Sequence, residues 1–269
     1  MSVLSVITKI SVQQKNKERF NIFLDEEYAF AVYESTLLKY HLAKGKELDE
    51  LEIEEILYTD QINKAYTSAV HYLSFRMRTE KEIGEYLREK EYEDFVAKEI
   101  VVKLKEQGYL NDKEFAVAYV RTQVNTTQKG RGVIEQELYE KGVDKALVVE
   151  ALEAEYSQEQ ELEHAVKLVM KNAPKYKKGA YKVMIQKIES ALVRKGYSFD
   201  VIKLALEEAQ LQEEPSEEWE ALTQQAEKVH RKYKSLEGYE YVMKVKSALY
   251  RKGFTMDMID QWLENEERL

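Results

Sequence analysis

The side chains in this sequence best suited to binding a partner are lysines and arginines that gather where one helix is expected to end and the next to begin. They form four groups: Arg76, Arg78 and Lys81; Arg121, Lys129 and Arg131; Lys175, Lys177, Lys178 and Lys182; Arg231 and Lys232. A cation at a helix end complements the negative pole there by about 0.3–1 kcal/mol, which accounts for Arg76 and Arg231 without any partner. A cation at a helix start instead favours a bound anion. We therefore predict that the four groups are contact sites, and a solvated surface with chance clustering is the alternative.

The third group lies in the most basic stretch of the chain. Between His164 and Lys195 there are nine cations and a single acid, Glu189, which gives a net charge of +8 within a chain of −9. Such a stretch suits either a phosphate backbone or an acidic protein surface. Composition does not choose between them.

Residues for catalysis or metal binding do not form a recognisable pattern. The four histidines are isolated, without paired-histidine metal spacing, at positions His41, His71, His164 and His230. Gly130-Arg131-Gly132 is too short for a dinucleotide fingerprint and follows no strand. The absence of cysteine excludes disulfides and thiolate metal sites. We predict a protein that is not an enzyme and has no cofactor or metal.

Composition favours long helices as the elements that position these cations. The 269 residues are 34% charged and 44% hydrophobic, with 2 Pro and 10 Gly, and so few breakers argue against a β-sandwich or an α/β domain. No apolar run approaches the roughly 18 residues of a membrane span. The N-terminus lacks the basic flank and apolar stretch of a signal peptide, so we predict a cytoplasmic protein.

The first part of the chain, residues 1–61, is the only strand-like region. Val3–Val12, Phe20–Leu24 and Tyr28–Val32 carry β-branched or alternating apolar residues between polar turns, which predicts an antiparallel sheet of two or three strands. Helical spacing begins near Glu34 and resumes near Leu48. Because so small a sheet is marginal alone, we expect it to lean on these helices.

The remainder contains an internal repeat. A six-residue pattern begins with leucine, has lysine at its fourth position, commonly has glycine at its fifth and ends in a hydrophobe. It recurs at Leu87–Tyr92, Leu138–Val143, Leu192–Tyr197 and Leu249–Phe254. Each occurrence sits within three helical stretches, which predicts four three-helix repeats over 62–110, 111–156, 157–211 and 212–269. The predicted fold is mainly α, with tandem three-helix repeats in an elongated array behind a small N-terminal sheet module.

Capping signals support this division. Thr79 with Glu82 and Ser157 with Gln160 have the spacing of capping boxes. Gly142, Gly196 and Gly253 follow a helix and precede a hydrophobe, where a left-handed residue is expected. We expect the first two helices of the repeats to be joined by connections of different length: Met77–Thr79, Asn125–Lys129 and Pro174–Lys178.

Three segments together resemble the RecX regulators of the RecA recombinase: Tyr72–Ile83, Gly108–Ala116 and Lys141–Val143. The resemblance is strongest over residues 62–155. The chain as a whole resembles the long form of the family found in low-GC Gram-positive bacteria. It implies all-helical repeats that bind the RecA filament and restrain recombination, ATPase and co-protease activities, and hence a role in DNA repair and the SOS response. It also implies a monomer with weak or indirect contact with single- or double-stranded DNA.

Two other functions stay open at this stage. One is a direct DNA-binding protein in which each three-helix unit acts like a helix-turn-helix, although the net charge of −9 argues against strong independent DNA affinity. The other is a general helical-repeat adaptor for an unrelated protein.

Overall fold

A computed structural model describes residues 4–14, 16–212 and 214–266 of the chain. Val3 of the expected first strand and Lys15 of the turn after it lie outside the described residues. The chain divides into two compact units, one of Met1–Phe115 with Lys141–Asp144 and the other of Ala116–Glu140 with Lys145–Leu269. The predicted class, mainly α repeats behind a small antiparallel sheet, is confirmed.

The sheet in the first unit has four strands: β1 Ser5–Val12, β2 Arg19–Leu24, β3 Glu27–Tyr33 and β4 Glu47–Leu48. All pairs are antiparallel, in the order β3-β2-β1-β4. The expectation of two or three strands was therefore too low, and Leu48 was wrongly placed at a helix start. β4 is only two residues long, which is too short for alternation to reveal.

Thirteen helices lie within the described residues: α1 Glu34–Lys39, α2 Glu50–Leu73, α3 Glu80–Glu89, α4 Asp94–Glu106, α5 Asp112–Thr126, α6 Arg131–Glu140, α7 Lys145–Glu155, α8 Gln158–Tyr176, α9 Tyr181–Arg194, α10 Phe199–Glu208, α11 Pro215–Tyr233, α12 Gly238–Tyr250 and α13 Met256–Glu266. After the short α1 they follow as triplets beginning at α2, α5, α8 and α11. α2 runs through residues 61 and 62, so the N-terminal module and the first triplet share one helix.

The leucines that mark the repeat form the centre of each triplet. Leu87, Leu138, Leu192 and Leu249 are fully buried on the second helix of their triplets. Around them the apolar residues recur at helical spacing, so that one face of each helix is buried. The sheet has its own core of Ile7, Ile22, Val32 and Leu48 packed with Leu42 and Ile56.

Predicted caps are present at the helix ends. Thr79 and Ser157 each form a complete capping box, and α2 has a further one, Asp49 with Glu52. Gly142, Gly196 and Gly253 have φ angles of +83°, +87° and +94°. The connection expected at Pro174–Lys178 begins later than predicted, because Pro174 lies inside the last turn of α8.

Candidate interaction surface

The start of each second helix that is followed by another triplet, where cations were expected to gather around an anion, is in contact with that triplet. At α6 the amide of Gly130 donates to the Lys195 carbonyl at 2.8 Å, and that of Gly132 donates to the Gly196 carbonyl at 3.0 Å. A Cβ on Gly130 would lie 2.6 Å from the Gly196 backbone. Only glycine allows so close an approach, so the Gly130-Arg131-Gly132 segment serves to dock the turn after α9.

The same contact recurs at the other second helices that are followed by a triplet. The Thr79 hydroxyl donates to the Lys141 carbonyl at 2.7 Å, beside Gly142, which packs on the Lys81 side chain. The turn at Gly253 packs on Ala180 and Val183 at the start of α9. We call these three contacts the joints.

Each joint also contains a carboxylate that accepts from the first backbone amide of the second helix. Asp112 accepts from Glu80 N at 3.0 Å, Glu161 from Arg131 N at 2.9 Å and Glu218 from Tyr181 N at 3.2 Å. A carboxylate at a helix start satisfies a free donor and complements the positive pole. The anion expected at these positions is thus supplied by the chain itself.

The first group of cations surrounds the start of α3. Arg76 Nη2 lies 3.1 Å from Glu82 Oε1, and Lys81 Nζ lies 3.7 Å from Glu85. The Arg78 guanidinium lies over the Tyr72 ring, 4.0 Å from its centroid. Burial alone would raise the pKa of Glu82, but hydrogen bonds from Lys141, the Thr79 amide and Arg76 outweigh it and lower that pKa.

All three cations of the second group bind acceptors within the chain. Arg121 makes two hydrogen bonds to Glu155, at 2.8 and 2.7 Å, and Lys129 Nζ lies 2.5 Å from Glu137. Arg131 donates to the Tyr156 carbonyl and pairs with the buried Glu161 at 3.3 Å. These three side chains have structural roles that account for them without a partner.

Aromatic hydroxyls complete the joint around Arg131. Tyr156 OH donates to the Lys129 carbonyl at 3.0 Å, and Tyr197 OH donates to the Gln128 carbonyl at 3.3 Å. Burial raises the pKa of Tyr156 strongly and that of Tyr197 to about 12. Burial also lowers the pKa of His164, whose Nδ1 lies 3.4 Å from Tyr156 OH. These groups are neutral at physiological pH and rigidify the joint.

The third group differs, because most of its cations are exposed and unpaired. Of the nine cations between His164 and Lys195, two form ion pairs within the described chain, Lys167 with Glu163 and Lys177 with Glu217. Lys175 contacts the amide oxygen of Asn172 at 3.1 Å. Lys178 and Lys182 are exposed on either side of the α9 start.

Several of these lysines share a face. Lys167, Lys171 and Lys175 recur every four residues along α8, which places them in one row. Lys187 of α9 lies 5.5 Å from the centroid of the Tyr176 ring, and that ring ends α8. We call Lys167, Lys171, Lys175 and Lys187 the lysine stripe, a cationic surface next to an aromatic ring.

The fourth group is exposed at the end of α11. Arg231 lies 4.0 Å from Glu227, and Lys232 Nζ lies 5.3 Å from the centroid of the Tyr233 ring. Both are weak surface contacts, which leaves the two charges accessible. The structure therefore separates the twelve predicted contacts into internally used cations and accessible ones, and their part in binding stays a prediction.

Two kinds of residue were missed by the sequence analysis. The joint carboxylates Asp112, Glu161 and Glu218 carry no local signal, since their partners are 30 to 37 residues away. Phe75 and Met77, both exposed in the turn between α2 and α3, lie inside a segment that was noted for its resemblance, its arginines and its connection, but neither of the two was named as a candidate contact. The available signal was an aromatic residue and a methionine that alternate with two arginines, Phe75-Arg76-Met77-Arg78.

Neither a metal-binding cluster nor a membrane-spanning helix occurs within residues 4–14, 16–212 and 214–266. That part of the chain has no cluster of three or more histidine, aspartate or glutamate side chains arranged for a metal ion. Its helices are all too short or too polar to cross a membrane.

The fold and these surfaces define a class: proteins of joined three-helix modules preceded by a small sheet. Four family domains cover the chain: the regulatory protein RecX N-terminal domain over residues 5–49, the first RecX three-helix domain over 65–104, the second over 111–152 and the third twice, over 158–206 and 216–263. The chain belongs to the RecX family of regulatory proteins.

Relatives in other bacteria are similar over nearly the whole length. Regulatory protein RecX of Bacillus velezensis is 48% identical over 261 residues, covering 97% of this chain and 99% of the relative. Regulatory protein RecX of Bacillus cytotoxicus is 45% identical over 265 residues, covering 97% of this chain and 98% of the relative.

Solved structures are also similar. A crystal structure of regulatory protein RecX has a TM-score of 0.65 and 38% identity, covering 76% of this chain and 99% of that one. The crystal structure of RecX from Lactobacillus salivarius has a TM-score of 0.54 and 36% sequence identity, covering 57% of this chain and 99% of that one.

Proposed function

We propose that this chain binds the RecA nucleoprotein filament and modulates it, chiefly by inhibiting its recombinase, ATPase and co-protease activities. The observation that carries the proposal is the repetition of one module with its joints, in a chain that belongs to a regulatory family. A filament offers the same surface many times, and a chain of similar modules is suited to touching several copies at once. In this proposal the chain acts as a monomer in the cytoplasm.

Linked weak contacts explain how such binding becomes tight. An exposed ion pair contributes about 0–1 kcal/mol, so no single module binds strongly. Modules held together gain avidity when their spacing suits the target. Binding across neighbouring subunits would then oppose extension or conformational change of the filament.

The lysine stripe supports contact with the nucleic acid of the filament. Phosphates attract a cationic row next to an aromatic ring, and within the described chain Lys167 is the one member of the stripe that pairs with an acid, Glu163. Weak contact with DNA therefore belongs to the same proposal.

The direct test is the effect of the chain on RecA itself. RecA ATPase and strand exchange on single-stranded DNA are measured with and without the chain. We expect both to fall as the chain is added, in proportion to filament occupancy. Unchanged rates at concentrations that saturate the filament would contradict the proposal.

Direct DNA binding is a second candidate, favoured by the same exposed lysines. It predicts tight binding to bare DNA that weakens steeply with salt. A salt titration on bare DNA separates the two functions, since tight binding without RecA supports the second candidate.

A further inference from the structure

The α2–α3 tip, residues Ser74–Arg78, is a turn in the first unit that projects an aromatic residue and a methionine into solvent. We propose that this tip is an anchor for a protein surface with an apolar pocket and an acidic rim. The inference rests on the proposed function, in which that surface belongs to a subunit of the filament. It assigns a protein contact to the first repeat, apart from the lysine stripe of the third.

Exposure is the first support. The Phe75 side chain is 70% exposed and that of Met77 is 49% exposed, although both are strongly apolar. Exposed apolar groups that are grouped together mark binding sites. Aromatic residues and arginines dominate binding energy at protein interfaces, and methionine adapts its shape to the partner.

Rigidity is the second support. The Phe75 ring meets the His71 ring edge-on, with centroids 5.0 Å apart and planes at 82°. Ser74 Oγ donates to the His71 carbonyl at 2.7 Å, and the buried Thr79 with its capping box fixes the other end. A tip held in this way loses little conformational entropy on binding.

The flanking charges specify the rim of the partner's pocket. Arg76 is half-exposed even while it contacts Glu82. Arg78 lies against Tyr72, whose ring stacks on Tyr86 with centroids 3.9 Å apart, and Arg78 Nε is buried without a hydrogen bond in the described chain. Two arginines in the same turn as Phe75, each with a contact inside the chain, call for carboxylates around the pocket that receives the ring.

Other exposed aromatics lack this combination. Phe199 and Tyr239 are 80% and 81% exposed, yet neither has a ring partner in the described chain. Their chain neighbours are acidic or uncharged: Ser198 and Asp200, and Gly238 and Glu240. Phe199 is therefore a matched control, an equally exposed phenylalanine outside the tip.

The test compares full-length variants for binding to two probes, a RecA filament on single-stranded DNA and the same DNA without RecA. Phe75→Ala combined with Met77→Ala is expected to weaken filament binding at least about tenfold and to leave bare-DNA binding unchanged. Phe199→Ala should bind the filament like the parent chain, and Phe75→Leu should keep most of the affinity. Because Phe75 and Met77 are exposed, unchanged thermal unfolding should accompany these results.

Four outcomes would overturn the inference. Filament binding that is unaffected by the double substitution, while the parent chain binds, removes the tip as an anchor and leaves the proposed function standing. An equal loss on bare DNA would make the tip a nucleic-acid contact, and a loss of self-association by the variant would make it a contact between copies. A parent chain that does not bind the filament would overturn the proposed function and this inference with it.

Discussion

At Gly196 two constraints on one residue coincide. Its φ of +87° is a left-handed conformation, and a Cβ would lie 2.8 Å from Val133 Cγ2. Gly108 has a similar φ of +75° but nothing within 4 Å of the Cβ position. Comparing Gly196 with Gly108 therefore separates the need for a left-handed backbone from the need for space at the Cβ position.

Gly196→Ala is expected to destabilise the chain more than Gly108→Ala. Both substitutions place alanine in the left-handed region, at about 1–2 kcal/mol. Gly196→Ala adds an overlap in the joint, at roughly 1–3 kcal/mol more. Urea unfolding of the two variants measures the difference, and equal losses would show that the joint yields to the added methyl group.

Glu161 is the joint carboxylate with the most buried environment. Its side chain caps Arg131 N and pairs with the Arg131 guanidinium. Glu161→Ala leaves both donors without their acceptor, and we expect a loss of about 3–5 kcal/mol. Glu163→Ala, two residues away, removes an exposed pair with Lys167 and should cost far less, because solvent screens such a pair. Denaturation midpoints that fall equally for both would contradict the assigned role.

His164 gives the joint a pH dependence with a definite sign. Burial, followed by the charge of Lys167, lowers the pKa of His164 below its usual 6.5 in the folded chain, while Glu163 opposes the shift. The stability contributed by neutral His164 is present above about pH 6.5 and is lost as pH falls through the folded pKa. We expect His164→Asn to flatten the fall in unfolding free energy between about pH 7 and pH 5, relative to the parent chain. An identical slope in both would show that His164 does not titrate differently on folding.

Elements with a local signal were predictable from the sequence. The capping box at Thr79 and the left-handed glycine at Gly142 need only residues a few positions apart, and both are present. β4 was missed because its two residues are defined by pairing with Ser5 and Val6, more than forty positions away. The accessibility of the cations was beyond prediction for the same reason, since Arg121 and Arg131 are paired by distant acids.

The end of α8 and the first part of α9 carry exposed lysines that suit a polyanion. Lys171→Glu with Lys175→Glu reverses two charges of the lysine stripe that form no ion pair in the described chain. We expect weaker filament binding and a salt dependence smaller by about one to two units in the log–log slope, since each phosphate contact contributes about 0.7–0.9.

Lys64→Glu with Lys145→Glu is the control for the lysine stripe. It makes the same change of net charge on exposed lysines of α2 and α7 that form no ion pair in the described chain, so it tests the general electrostatic effect. If both double variants lose affinity equally, net charge rather than the stripe governs binding. Reversal of Lys129 and Arg131 is unsuitable for this purpose, because both side chains have internal acidic partners.

For the molecule as a whole, avidity requires that one module be held in a fixed position on the next. The joint between the third and fourth triplets depends on Gly253, whose φ is +94° and whose Cβ position lies 2.5 Å from Val183 Cγ2. Gly253→Ala should loosen this joint while leaving every exposed side chain in place. We expect weaker filament inhibition with faster hydrogen exchange in α11–α13, because linked contacts lose their advantage when their spacing is not fixed.

Two further variants are compared with Gly253→Ala: Gly238→Ala is a milder change, and removal of residues 212–269 is a larger one. Gly238 also has a positive φ, +55°, but nothing lies within 4 Å of its Cβ position, so its substitution strains the backbone without opening the joint and should preserve inhibition. Removing the fourth repeat should lower inhibition further than Gly253→Ala and much further than any single exposed substitution. The fourth repeat would then contribute through its place in the array as well as through its own surface. If the truncated chain inhibits RecA as strongly as the full one, linkage of the fourth repeat has no part in binding, and the contacts must lie in the first three.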